Sequence, residues 1–259
     1  MGSIDPSEYP TKIRLAIFEC GALLPLARER YGTFGGMFEA LFAAQQKAKT
    51  PAAEKKITFS KYQVDYEGAE YPDLSEVDVI LITGSKHSAY LDVPWINKLV
   101  SVITSALQTP HIKVIGVCFG HQIIGRALNA PVQLNDMGWE AAVLPVELAP
   151  AGKALLRKAQ LNLHFSHQDI VASSPPGVEN LGSTPHCAVQ GMYQRGNFIS
   201  FQGHPEFNEE IIREILDIKK ADGLLGTELY EDSIKRASLE HDGLLVGRLF
   251  SRFILEDTM

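Results

Sequence analysis

An open, mostly parallel α/β sheet with helices on both faces is the fold this sequence predicts, with a small antiparallel β portion and a helical C-terminal extension. Three observations point there. Apolar runs rich in Ile and Val alternate along the first half with segments of helical spacing. One of those runs, VDVILITG at 77–84, is apolar almost throughout and ends in glycine, as a strand buried on both faces does. From Val132 to Gln202 the pattern changes to short β-like pieces broken by Pro and Gly, which predicts antiparallel hairpins at one side.

In chain order, KIRLAIF at 12–18 is the first strand. FGGMFEALFAAQQKA at 34–48 places Phe34, Met37, Phe38, Leu41 and Phe42 at helical spacing. AKTPAAEKK at 48–56 reads as an exposed loop, and ITFSKYQV alternates as a strand. The run at 77–84 is the next strand, and WINKLVSVITSAL at 95–107 is a helix. KVIGVCFGHQIIGRAL at 113–128 passes from strand straight into helix. AAVLPVEL, LNLHFSH, CAVQGMY and NFISFQG supply the hairpin strands. Beyond Asn208, EEIIREILDIKKA, ELYEDSIKRASL and LLVGRLFSRFIL are helical. The expected organisation is a flexible arm over 1–11, one α/β domain over 12–207, and a helical extension over 208–259 packed on that domain.

The bulk numbers exclude several function classes. The chain has 259 residues, 45% of them hydrophobic and 21% charged, enough for an ordinary core. Its net charge of -7 argues against a nucleic-acid surface, which needs clustered Lys and Arg. Cys20, Cys118 and Cys187 are odd in number and far apart, which predicts a reducing compartment and no disulfide framework. The start lacks the basic and apolar regions of a signal peptide; MGSIDPS loosely resembles a myristoylation signal, but Asp5 and Pro6 speak against it. No apolar run reaches the roughly 18 residues of a membrane span. A cytoplasmic protein free of membrane contact is the expectation.

Cys118 stands at the joint between strand and helix, flanked two residues away by Gly116 and Gly120. Such a turn lifts a side chain out of the sheet. A helix N-terminus also points partial positive charge at a thiol placed there and favours the thiolate. The N–H of the next residue, Phe119, faces the same space and suits a developing oxyanion. The turn is cramped, so its neighbours are bare. His204, in FISFQGHPEF, follows a strand-like run, and Glu206 lies two residues on. Extended residues i and i+2 point to one side, about 6.5–7 Å apart, so the carboxylate can reach the imidazole. A nucleophile, a base and an orienting acid are therefore available.

GVCFGHQ at 116–122 and GHPEF at 203–207, separated by a β-rich stretch, together resemble the class I (triad) glutamine amidotransferase family, whose motif is G-x-C-x-G-x-Q. LITGSKHSAY and FSHQD sit where that family has its oxyanion and substrate loops. The resemblance spans about Lys12 to Phe207 and implies a flavodoxin-like fold. It also implies roles. Cys118 would be the nucleophile, His204 the base and then the acid, and Glu206 its orienting partner. Ser85 and Phe119 would offer oxyanion N–H groups. Gly84, Gln122, Ser166, His167 and Gln168 would hold the substrate's amino-acid end. No cofactor and no metal are implied.

The chain departs from the pattern at Ser85 and Lys86, in TGSK where SGGP is usual, and at Gln168 in place of a small glycine. About fifty residues follow the triad, fewer than an ATP-using domain needs. Both points favour a stand-alone γ-glutamyl peptidase-like hydrolase, which cleaves γ-glutamyl amide bonds of small molecules through a cysteine thioester. Lys86 is then expected to meet a carboxylate on the leaving group. Two alternatives are a glutaminase subunit donating ammonia to a separate synthetase, and a catalytically silent binding or regulatory protein on the same fold. The sequence does not set the oligomeric state.

The remaining candidates read as structure. Cys20 and Cys187 are expected to be buried thiols, and His121 to lie on the helix surface. His164 and His167 have the H-x-x-H spacing but no third ligand. His87 is a loop histidine, and YGTFGG at 31–36 reads as close helix packing. Trp139 and Glu140 belong either to a pocket wall or to a surface hairpin.

Overall fold

The computed structural model describes residues 12–46 and 56–256. The N-terminal arm and nearly all of the loop expected at 48–56 lie outside the described residues. The main sheet has nine strands in the order β2-β1-β3-β4-β11-β10-β9-β6-β7. Its parallel half is β2 (Lys56–Gln63), β1 (Lys12–Glu19), β3 (Val79–Ile82), β4 (Lys113–Val117) and β11 (Phe198–Phe201). The antiparallel half is β10 (Gly191–Gln194), β9 (Glu179–Ser183), β6 (Glu140–Leu148) and β7 (Gln160–His167). β5 (Val132–Leu134) and β8 (Asp169–Val171) pair separately. The predicted antiparallel portion is thus largely continuous with the main sheet.

Strand alternation sorts the core into two layers. Leu15, Ile17, Val79, Leu81, Ile115 and Val117 face one side. There they meet Phe38 and Phe42 of α2 (Phe34–Gln46), and Leu249, Phe250 and Phe253 of α8 (Gly243–Leu255). Ala16, Phe18, Ile80, Ile82 and Val114 face the other side. Their partners are Ile96, Leu99 and Ile103 of α3 (Pro94–Leu107), and Ile123 and Ile124 of α4 (Phe119–Ala127). Helix α8 therefore belongs to the same core as the strands. Each large apolar side chain fully buried in these layers contributes about 1.5–3 kcal/mol.

The helical reading holds for α2, α3, α6 (Glu209–Ala221), α7 (Thr227–Arg236) and α8. Two seven-residue helices, α1 (Pro25–Tyr31) and α5 (Pro150–Leu156), were not expected. Each is too short to display a periodic face, and proline opens both. The strand expected from Cys187 begins only at Gly191. Before it, Cys187 and Thr184 close a turn through Thr184 N–H to the Cys187 carbonyl at 2.9 Å and Cys187 N–H to Thr184 Oγ1 at 3.1 Å. YGTFGG joins α1 to α2, and a Cβ on Gly36 would collide with the Tyr31 carbonyl.

Because β1, β3, β4 and β11 are parallel, their carboxyl ends gather at one edge, where open α/β sheets hold their ligands. That edge brings together Cys20–Gly21, Thr83–Ser85, Cys118 and Gln202–His204. The joint between β4 and α4 is the tightest point. A Cβ on Gly116 would lie 2.6 Å from the Gly120 oxygen, and one on Gly120 would overlap the Ile82 carbonyl. Gly120→Ala is therefore expected to cost about 1–3 kcal/mol or more, since neither backbone can yield. A thermal melt checks this, at roughly 2–4 °C per kcal/mol for a chain of this size. Gly226→Ala, where nothing lies within 4 Å, serves as the control free of a steric clash.

Candidate active site

Cys118 has φ 53° and ψ -104°, a region that a residue with a side chain rarely occupies. Two backbone bonds hold it there. Its N–H donates to the Phe201 carbonyl at 2.9 Å, and its carbonyl accepts from Gln122 N–H at 3.1 Å. The bare Gly116 and Gly120 permit the turn, as derived above. Cys118 is 6% exposed and lines a cavity of about 570 Å³.

The same cavity is lined by His204. Its N–H donates to the His164 carbonyl at 2.8 Å, pinning the backbone to β7, and its Nδ1 donates to Glu206 Oε1 at 2.8 Å. Phe207 lies flat on the imidazole, centroids 3.9 Å apart and planes 7° from parallel. On the far side a Cβ at Gly84 would come to 3.0 Å from His204 Cε1, so the bare loop lets the ring sit beside it. With Nδ1 turned to Glu206, Nε2 is left for Cys118. Burial by itself would depress the basicity of His204. The charges of Glu206 and Cys118, and hydrogen bonds to both, outweigh it and raise the pKa to about 10. The imidazole therefore stays protonated through neutral pH.

The cavity also touches Ser85, Phe119, Gln122, Ser166, His167 and Gln168, so one edge of the sheet assembles every residue singled out as a site candidate except Glu206, which stands behind His204. The backbone N–H groups of Ser85 and Phe119 donate to no described residue. The loop carrying Ser85 is braced: Ser85 Oγ accepts from His87 N–H at 3.2 Å, His87 packs edge-on against Trp95, and Trp95 stacks on Phe119. Gln122 spends both amide hydrogens inside the protein, on the Asp169 carbonyl at 2.9 Å and Gln202 Oε1 at 3.0 Å. His167 also faces inward, with Nδ1 3.0 Å from the Asp169 carbonyl and Nε2 3.0 Å from Glu140 Oε2. Ser166 and Gln168 remain half-buried at the wall, and Lys86 is exposed at the rim.

The model for "Glutamine amidotransferase class-I" matches residues 46–215, more than half of the chain. The chain belongs to that family. A glutamine amidotransferase-like protein of Schizosaccharomyces pombe is 33% identical over 230 residues, covering 87% of this chain and 92% of that one. Gamma-glutamyl peptidase 2 of Arabidopsis thaliana is 29% identical over 234 residues, covering 86% and 89%. Among solved structures, a glutamine amidotransferase from Thermotoga maritima superposes with a TM-score of 0.68 over 94% of this chain and 99% of that one, at 18% identity, a likeness of fold. The flavodoxin-like class I architecture is thereby shown.

Around the site stand neighbours whose contacts the sequence left open. Glu140 is a buried hub and no part of a surface hairpin. It accepts from Thr184 Oγ1 and Gln190 Nε2, each at 2.6 Å, and faces His167. Burial pushes its carboxyl up, but those bonds and His167 outweigh it and hold it below the usual range. Trp139 does line the pocket, and the Lys219 ammonium of α6 lies 3.9 Å from its ring centroid. Phe207 closes the stack on His204. Lys219 and Lys220 are adjacent in the sequence, and nothing there says that one turns inward.

His121 is a correction. It was expected on the helix surface, yet it is fully buried, with Nδ1 2.9 Å from Ser200 Oγ. Helix α4 lies across the sheet over most of its circumference, so even its polar positions are covered. Cys20 and Cys187 are buried thiols; burial raises both, Cys187 to about 12. His164 packs on the His241 ring, and among the described residues no three His, Cys, Asp or Glu are grouped to hold a metal ion. No described helix is long and apolar enough to cross a membrane.

Burial first, and His167 second, push His121 down to about 3. Its folded pKa lies below the unfolded value of about 6.5, so its contribution to stability is present above pH 6.5 and lost as pH falls toward 3. Replacing His121 by Gln is expected to flatten that acid limb by up to one proton, about 1.4 kcal/mol per pH unit. Denaturant titrations between pH 4 and 7 measure the slope; an unchanged slope means that His121 is not the neutral buried group.

Proposed function

We propose that the protein is a cysteine-dependent hydrolase of γ-glutamyl amide bonds whose leaving amine is larger than ammonia. The observation that carries this reading is the cavity itself. Around Cys118 and His204 it extends well beyond the reacting atoms, along an apolar wall of Leu23, Leu24, Ile211 and Ile215. An ammonia-sized leaving group needs no such wall; a peptide or thiol conjugate fills it. The γ-glutamyl peptidases among the relatives support the same direction.

In this mechanism Cys118 Sγ attacks the γ-carbonyl carbon. The oxygen takes up the negative charge between the Ser85 and Phe119 N–H groups. His204, held protonated by Glu206, gives its proton to the amine as the C–N bond breaks, leaving a thioester on Cys118. The charge of Cys118, one cause of the raised His204 pKa, is then gone, and the imidazole becomes a better-matched base for water. Water attacks the thioester, glutamate leaves, and the sulfur–imidazolium pair is restored. Glu206 orients His204 throughout. Gln122 and His167 hold the substrate loop through the Asp169 carbonyl, and Gln122 keeps its own carbonyl oxygen for the substrate.

Cys118→Ala should remove several orders of magnitude in rate with the fold intact. Comparing kcat/KM for glutathione, a glutathione S-conjugate and glutamine tests the substrate class. The conjugate and glutathione are expected to exceed glutamine. If glutamine is best, or activity appears only with an added synthetase, the ammonia-donor reading replaces this one. If nothing is hydrolysed, the silent-protein reading does.

The pH profile tests the base. His204 must be protonated to release the amine, so activity is expected to fall as pH rises through about 10. In Glu206→Gln the carboxylate's contribution is lost and that alkaline limb should move to lower pH, with part of the activity kept. A limb that does not move shows that Glu206 does not act through His204.

A further inference from the structure

Helix α6 opens with a well-made cap: Asn208 Oδ1 accepts from Ile211 N–H at 3.0 Å, and Glu209 and Glu210 occupy the first turn. It ends with Lys219 and Lys220. Lys220 Nζ donates to Thr227 Oγ1 at 2.7 Å, an ordinary surface bond. Lys219 turns the other way, into the cavity of Cys118, with its ammonium on the Trp139 ring. Among the described residues, Lys219 Nζ donates to no oxygen and makes no ion pair, although an ammonium has three hydrogens to place.

The charges facing it are few. They are Cys118, Asp169 and, from its own helix end, Asp222. Asp169 lies on the substrate loop, hydrogen-bonded to Ser88, and lines the same cavity. Burial is the leading cause in both, lowering Lys219 and raising Asp169, so each is pushed toward neutrality. A ligand bearing one carboxylate and one ammonium would return a counter-charge to each. The amino-acid head of a γ-glutamyl group is such a ligand, and it lies two methylenes from the carbonyl that Cys118 attacks.

Resting on the hydrolase reading above, we propose that Lys219, seated on Trp139, binds the α-carboxylate of the γ-glutamyl group while Asp169 takes its α-ammonium, so that helix α6, which follows the α/β domain, supplies part of substrate recognition. Lys86, exposed at the rim, stays free for the leaving group. The site then rejects glutamyl compounds whose α-carboxyl is capped, and α-linked isomers whose free carboxylate is the γ one.

The test reads recognition without turnover. A chloromethyl ketone carrying a free α-amino and α-carboxyl group in the glutamine arrangement alkylates a cysteine: the S–C bond forms and chloride leaves. The rate of Cys118 modification is followed by mass spectrometry for this reagent, for its α-carboxamide, and for its N-acetyl form. Each rate is divided by that for iodoacetamide, which has no head group to recognise. Wild type is expected to prefer the free head over the carboxamide by about 10–100-fold, the worth of a hydrogen-bonded charge. Lys219→Met should lose most of that preference, Lys219→Arg should keep much of it, and Asp169→Asn should lose discrimination against the N-acetyl form. If Lys219→Met keeps the full preference, the lysine does not read the carboxylate, and the proposal fails while the hydrolase reading stands. If wild type shows no preference for the free head over any other reagent, both are overturned.

Discussion

The molecule depends on one close crossing, where the first turn of α4 passes over the end of β3. Gly120 lies against the Ile82 carbonyl and Gly116 against Gly120, so neither position accepts a Cβ. That approach sets the angle at which the chain leaves β4, and it forces Cys118 into positive φ. The thiol consequently stands above the strand ends rather than within the sheet. The backbone bonds to Phe201 and Gln122 then tie the strained residue to β11 and α4. Strain of this kind, on the order of 1–3 kcal/mol, persists only where its surroundings over-determine it.

Once the cysteine is placed, the other groups are positioned by the parallel register. β11 pairs with β4 so that Phe201 lies opposite Val117, and the chain beyond both strands meets at His204 and Cys118. A bond from His204 N–H to the His164 carbonyl adds the antiparallel half of the sheet as a third support. The imidazole is fixed by Glu206 at its edge and Phe207 on its face. The buried hub at Glu140 does for the loop at 166–169 what Glu206 does for His204. It sets His167, which in turn sets the Asp169 backbone. Both are carboxylate–histidine pairs, and both orient a group that faces the cavity.

Much of this was legible beforehand. Helices α2, α3, α6 and α8 carry periodicities long enough to read, β1 and β3 stand out as apolar runs of strand length, and the elbow glycines announce a turn with a mechanical reason. His204 and Glu206 were legible because i and i+2 share a side in extended backbone. Helices α1 and α5 were not, because seven residues cannot show a stripe. His121 misled because its polarity suggested exposure, whereas α4 is covered on nearly every side and Ser200 supplies a partner 79 positions away. Glu140 was ambiguous for the same reason: its partners at 167, 184 and 190 come from three separate segments.

The sequence by itself determined the local rules: which segments pair or coil, where a turn must be bare, and which thiol, imidazole and carboxylate are on hand. Those rest on backbone sterics and short-range spacing, which act between residues a few positions apart. Only the tertiary structure decided which of two adjacent lysines enters the pocket, that Trp139 receives it, that Gln122 spends its amide hydrogens inside the protein, and that His167 meets Glu140. Such choices depend on where α6 lies against Trp139 and the loop at 166–169, contacts between segments some fifty to eighty residues apart. Burial then alters what each group costs to leave unpaired. That environment exists only after the chain has folded.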